Sequence, residues 1–156
     1  MSYNDFMTNL DYIDRAIIHF AKIVQPTFGR IALFIVFFWF GILKVLGLSP
    51  ASGLVEQLFE RTVPFMTFGV FILLFGVFEC IIGILFLMPK MSRLVILLLC
   101  AHMITTFGPL VFLPQETWQK FLVPTLEGQY IIKNLVIVAL ALGIVAHLTP
   151  MRHHKK

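Results

Sequence analysis

Four stretches of nearly unbroken apolar sequence constrain this chain more than any other feature. They cover residues 31–48, 66–86, 94–112 and 131–148. A bilayer hydrocarbon core about 30 Å thick is crossed by roughly 20 apolar residues of helix, so each is long enough to span. The first is interrupted by Lys44 and the second by Glu79; the third carries no Asp, Glu, Lys or Arg, and the fourth has Lys133 near its start. One such run could be the core helix of a soluble domain. Four in 156 residues, with 59% hydrophobic and 13% charged residues, leave too little polar surface to cover a water-soluble fold. A mean hydropathy of +0.93 agrees. Period-two alternation is absent, which argues against a membrane barrel. The expectation is an all-α fold, an integral membrane four-helix transmembrane bundle in contact with the lipid bilayer. The same composition excludes a disordered chain, a nucleic-acid binder and a disulfide-stapled secreted scaffold.

Lys and Arg placement then gives an orientation. Arg15, Lys22 and Arg30 precede the first span, Lys90 and Arg93 lie in the second connection, and Arg152, Lys155 and Lys156 follow the last. The two opposite connections hold Arg61 and Lys120. This bias predicts both termini on the cytoplasmic side of a bacterial inner membrane, the reverse orientation being the runner-up. Residues 1–29 read as an amphipathic interfacial helix: Ile13, Ile17, Phe20 and Val24 follow helical spacing, Asp11, Arg15 and Lys22 face elsewhere, and Pro26 is expected to stop or restart the helix. Residues 30–148 form the four-span membrane domain and 149–156 a basic cytoplasmic tail. In the outer connections, Val55, Leu58 and Phe59 point to a short surface helix, and Trp118 and Tyr130 suit the interfacial aromatic belt.

Ionisable groups at membrane depth are the informative positions, because a carboxylate there costs at least about 2.5 kcal/mol and so faces the bundle or a wet cavity. Gly69, Gly76 and Gly83 recur every seven residues, with Glu79 on the same helical face. Small residues admit a neighbouring backbone, so this face is expected to pack inward. His102 lies at a similar depth in the third span, followed by Thr105 and Thr106, and a Glu79–His102 contact is expected. It is either a structural hydrogen bond between two helices or a site that shares a proton or binds a polar ligand. Lys44, between Gly41 and Gly47, and Lys133, beside Asn134, sit within a turn of the outer ends of their spans. They either snorkel to the interface or join an outer polar site with Glu127, Glu56 or Glu60. Cys80 and Cys100 lack a CxxC spacing and read as small hydrophobes. The histidines show no metal-site spacing, and no hydrolase motif occurs.

Taken together, RIALFIVFFWFGILKVLG in the first span, GVFECIIGIL in the second, MITTFGPLVFLPQETW at the end of the third and EGQYIIKNLVIVALAL at the start of the fourth resemble the DoxX-like superfamily of small four-helix membrane proteins. The most similar branch is the YkgB-like group, which includes a reactive-chlorine-resistance membrane protein. The resemblance covers about residues 30–148, though the first outer connection is shorter than in that branch. It implies a membrane component of a redox or oxidative-stress system and marks Arg30, Gly41, Lys44, Glu79, Gly83, Lys133 and Asn134 as family-like positions. The leading expectation is a site within the bundle for quinone or another small lipophilic molecule, with catalysis left open. The alternatives are a proton or small-solute transporter and a non-catalytic anchor for a soluble oxidoreductase, either of them compatible with a homo-oligomer.

Overall fold

In the computed structural model, residues 3–63 and 65–149 are described. The tail from 150 onward, with Arg152, Lys155 and Lys156, lies outside the described residues. The long helix α1 (Tyr3–Val45) is followed by the short α2 (Ser52–Thr62) and then α3 (Phe68–Phe86). A tight turn through Pro89–Met91 leads into α4 (Ser92–Phe107), which continues after Gly108 as α5 (Pro109–Phe112). Next come α6 (Pro114–Thr117), strands β1 (Trp118–Lys120) and β2 (Val123–Pro124), α7 (Leu126–Ile132) and α8 (Asn134–Ala146). Four helical segments, Leu10–Val45, Phe68–Phe86, Pro89–Phe112 and Leu126–Ala146, are long and apolar enough to cross a bilayer. The chain is a multi-pass helical membrane protein.

The core lies where α1, α3, α4 and α8 meet. Leu33 and Phe37 of α1 pack with Ile82 and Phe86 of α3, Val95, Leu99 and Met103 of α4, and Ala141 and Ile144 of α8. Leu, Ile and Phe also dominate the outside, with Trp39, Leu97, Ile104, Val111 and Val136 among the exposed side chains. An apolar exterior around an apolar core is what lipid as solvent demands.

The α1–α3 pair is the tightest contact. A side-chain carbon added at Gly41 would lie 2.6 Å from the Gly76 carbonyl oxygen and 2.8 Å from the Cys80 nitrogen. One added at Gly83 would lie 2.8 Å from the Phe38 nitrogen. Backbone therefore meets backbone, as small residues permit in membranes. Gly69 departs from its expected role in this packing: it is exposed, with nothing within 4 Å of the same construction. The reason is the register, since α1 ends at Val45, whose side chain already lies opposite Gly76. About two turns nearer the start of α3, at Gly69, there is no α1 left to meet. Gly47, at φ +69°, closes α1, with Leu48 N–H donating to the Leu43 carbonyl and Gly47 N–H to that of Lys44.

Above the end of α1, the expected surface helix forms as α2. Its buried Phe59 packs its ring against Phe68 and Phe71 of α3, at 5.8 and 4.9 Å between centroids. Arg61 of α2 donates to the Phe112 carbonyl at 2.6 Å. The connection between α5 and α7 is more ordered than its sequence indicates. Buried Thr117 donates to the Leu113 carbonyl, Thr125 caps α7 at Gly128, and a small antiparallel hairpin turns through Leu122 at φ 57°.

The expected break at Pro26 does not occur. α1 runs unbroken through it, so the first part of the chain is a long apolar extension of the first span and not a separate amphipathic helix. A missing N–H at one position costs a helix one hydrogen bond, and the flanking turns carry the axis through.

Candidate functional site

The buried polar groups converge on one place. Glu79 of α3 is 5% exposed, Lys44 of α1 7% and His102 of α4 6%. Lys44 Nζ donates to Glu79 Oε2 at 2.6 Å, and His102 Nε2 lies 2.8 Å from Glu79 Oε1. One carboxylate thus ties three helices together, each oxygen engaged by a different partner. Gly41 and Gly76 make this possible: their close approach places the Lys44 Cβ beside Gly76, one turn of α3 from Glu79.

Aromatic rings enclose the triad. Phe75 stacks on the His102 imidazole with centroids 5.1 Å apart and planes 8° off parallel, and Phe37 meets it edge-on at 5.2 Å. Lys44 Nζ also sits 5.6 Å from the Phe75 centroid. The negative faces of these rings favour a cation beside them. A charged pair this far from water would otherwise carry a desolvation penalty of several kcal/mol per ion, and the two hydrogen bonds on Glu79 offset part of it.

The hydrogen count at His102 has a chemical consequence. Thr106 Oγ1 lies 3.1 Å from His102 Nδ1 and 3.0 Å from the His102 carbonyl oxygen, and Thr105 Oγ1 donates to that same carbonyl at 2.7 Å. When the Thr106 hydroxyl donates to the carbonyl, its oxygen accepts Nδ1–H. The Nε2–Oε1 contact then holds a proton of its own, as imidazolium with carboxylate or imidazole with carboxylic acid. When the hydroxyl rotates to donate to Nδ1, Nε2–H donates to the Glu79 carboxylate and the site holds one proton fewer. Both states satisfy every group with the heavy atoms in place. Rotation of one hydroxyl therefore lets the same heavy-atom arrangement hold either proton count, the proton itself coming from or going to another group.

The expected Glu79–His102 contact is present, and Lys44 joins it instead of snorkelling to the interface. Neither Lys133, Asn134 nor Arg30 belongs to the triad. Lys133 is exposed, its ammonium 4.7 Å from the Tyr130 ring centroid. The Asn134 amide donates to the Tyr130 and Ile131 carbonyls, bridging the junction of α7 and α8. No outer polar site forms with Glu127, Glu56 or Glu60: among the described residues the ion pairs are those of Glu79. Arg30 works at the other end of α1, donating to the Phe86 carbonyl at 3.3 Å and to Ser92 Oγ at 2.7 Å. Ser92 in turn donates to the Pro89 carbonyl, so Arg30 locks α1 onto the α3–α4 turn. It lies fourteen residues from Lys44, about 21 Å along the helix.

Both cysteines are free. Cys80 directs its thiol at the Phe38 carbonyl, and Cys100 faces outward. Cys100 lines an open, almost wholly apolar groove of about 400 Å³ between α4 and α8, together with Leu99, Met103, Phe107 and Ala141. No group of three or more metal-ligating side chains occurs among the described residues. The spacing of four residues on a helix puts Thr106 on the face of His102, and the structure adds its contact with the imidazole Nδ1. Comparison of the chain with protein-family models, with curated proteins and with solved structures finds no match.

Proposed function

We propose that this multi-pass protein is a small membrane component of a redox or oxidative-stress system, in which the Lys44–Glu79–His102 triad exchanges protons with a lipid-soluble carrier of the quinone type. The single observation behind this reading is a buried carboxylate held between an ammonium and an imidazole whose hydrogen bonds accommodate two proton counts. A quinone takes up protons as it accepts electrons, and it dissolves in the same bilayer as the helices. The chain's own residues would supply the proton at His102 Nε2 or Glu79 Oε1, while the electrons come from a partner oxidoreductase. The DoxX-like resemblance favours the same role, and the charge bias favours an inner membrane with cytoplasmic termini.

The test is the quinone content of protein purified in nanodiscs formed directly from native membranes. Wild type is expected to retain quinone, with loss in Glu79→Gln and His102→Ala and retention in Lys133→Met. Absence of quinone from wild type, together with full rescue of an oxidant-sensitive deletion strain by Glu79→Leu, overturns the reading. A second use of the triad, proton passage across the membrane, is favoured by the Thr106 hydroxyl alone. Dissipation of a pH gradient in liposomes by wild type and not by Thr106→Val would identify it.

A further inference from the structure

Polar side chains are distributed unevenly on the two sides of the triad. Towards Arg30 and Ser92, the three helices that supply it run through residues 31–43, 80–86 and 94–101, where only Trp39, Cys80 and Cys100 carry a polar side-chain atom. Trp39 and Cys100 are exposed, and Cys80 turns its thiol to the Phe38 carbonyl. Leu33, Phe37, Ile82, Phe86, Val95 and Leu99 pack the space on this side. Ser92 is ten residues from His102, which is about 15 Å of helix.

The other side is different. Lys44 stands one residue from the end of α1. Thr105 and Thr106 follow His102 by three and four residues; Thr105 is exposed, Thr106 is half-buried, and Thr106 Oγ1 already meets the imidazole Nδ1. Over this end lies α2. Its Leu58 sits 3.4 Å from a side-chain carbon placed at Gly108, two residues beyond Thr106. Its Phe59 starts a ladder of rings that ends on the imidazole: Phe59 to Phe71 at 4.9 Å, Phe71 to Phe75 at 5.6 Å and Phe75 to His102 at 5.1 Å between centroids. Leu54, Val55, Leu58 and Phe59 turn inward, while Glu56, Gln57, Glu60 and Arg61 are exposed. A face with three charges belongs in water, so water reaches the back of α2. A helix of eleven residues is marginal by itself, and α2 has no side-chain N-cap. It is held by its inward side chains and by Arg61 donating to the Phe112 carbonyl.

Resting on the proton-exchange reading above, we propose that the triad takes up and releases its proton on the α2 side, through Thr106, and that α2 is the cover that admits or excludes water there. In uptake the Thr106 hydroxyl proton passes to His102 Nδ1 while a proton from hydronium replaces it on Oγ1, leaving a water molecule. The hydroxyl then turns to the His102 carbonyl and its oxygen accepts Nδ1–H, the arrangement with the higher proton count. Release runs the same steps backward. No comparable relay exists towards Ser92, where the side chains packed between are apolar.

Replacement of the His102 Cε1 hydrogen by deuterium, followed by mass spectrometry of the protein in nanodiscs, reports water at the ring and tests this. Phe59→Ala and Arg61→Met each loosen α2, and both are expected to speed the exchange several-fold. Arg30→Met with Ser92→Ala loosens the opposite end and is expected to leave the rate unchanged. A Leu58→Cys, Gly108→Cys pair in a Cys80→Ala, Cys100→Ala background ties α2 down; its oxidised form is expected to exchange several-fold more slowly than its reduced form. A wild-type rate in both α2 variants overturns the proposal, as does equal acceleration from the Arg30 end or a rate indifferent to the tether. Quinone content is read separately on the same nanodiscs. Exchange that follows α2 without bound quinone keeps this route and removes the carrier, whereas bound quinone with exchange indifferent to α2 removes the route and keeps the carrier.

Discussion

The bundle has two kinds of helix contact. Between α1 and α3 the backbones touch across Gly41, Gly76 and Gly83, and the interface encloses Lys44, Glu79 and, from α4, His102. Between α4 and α8 lies an open groove of about 400 Å³ with almost no polar lining. Lipid is as apolar as leucine, so burying apolar surface gives little drive for two helices to associate in a membrane. Close van der Waals approach and polar pairing remain, and α1–α3 uses both. The α4–α8 pair has neither at the groove, and lipid chains can complete its packing. One interface is specified by its residues and the other is left adaptable.

The largest expected effect separates the two. Glu79→Leu leaves the Lys44 ammonium buried without its carboxylate, and breaking a buried pair from one side costs about 3–5 kcal/mol. Replacing both groups, Lys44→Met with Glu79→Leu, removes the stranded charge and should recover most of that loss. Unfolding midpoints of the single and double variants in detergent check this. If the double variant is as unstable as the single, the triad's value lies in something other than the ion pair.

The next effect is steric. Gly41→Ala puts a carbon 2.6 Å from the Gly76 carbonyl oxygen, which forces α1 and α3 apart and should cost about 1–3 kcal/mol. Gly69→Ala meets nothing and gains helix propensity, about 0.5–1 kcal/mol. Cys100→Leu, pointing into the α4–α8 groove, should change stability by less than about 0.5 kcal/mol. The same unfolding measurement ranks all three. Comparable losses at Cys100 and Gly41 would show that the two interfaces do not differ in the way described.

How much of this could be read in advance depended on what a linear pattern records. Hydropathy gave the four spans, and helical periodicity put Glu79 on the face of Gly76 and Gly83, at a depth matching His102. Those are properties of one helix or of distances from one common end. Lys44 was left between snorkelling and a polar site because its depth is relative: it sits in the last turn of α1, but α1 stops opposite the middle of α3, with α2 packed against the first turns of α3. The same offset strips Gly69 of a neighbour. Pro26 misled because a missing N–H lowers helix stability without dictating where an otherwise apolar helix ends. Arg30 was recognised as special, yet its partners, the Phe86 carbonyl and Ser92, lie in a turn whose position against α1 no local pattern fixes.

The two lysines that looked alike in sequence give the finest test of the comparison. Each lies within a turn of an apparent span end, and each invited a choice between snorkelling and a shared polar site. Lys44 is buried against Glu79, while Lys133 is exposed with its ammonium over the Tyr130 ring. An exposed contact of that kind is worth about 0.5–1 kcal/mol, and part of it survives in the packing of a methionine stem. Lys133→Met should therefore shift the unfolding midpoint barely beyond error and leave any bound quinone in place. Lys44→Met strands the Glu79 carboxylate, so its loss should approach that of Glu79→Leu. Were the two lysine variants to fall together, Lys133 would have to be coupled to the carboxylate across the bundle, and the contrast between a specified α1–α3 interface and an adaptable α4–α8 side would no longer explain where this protein keeps its charge.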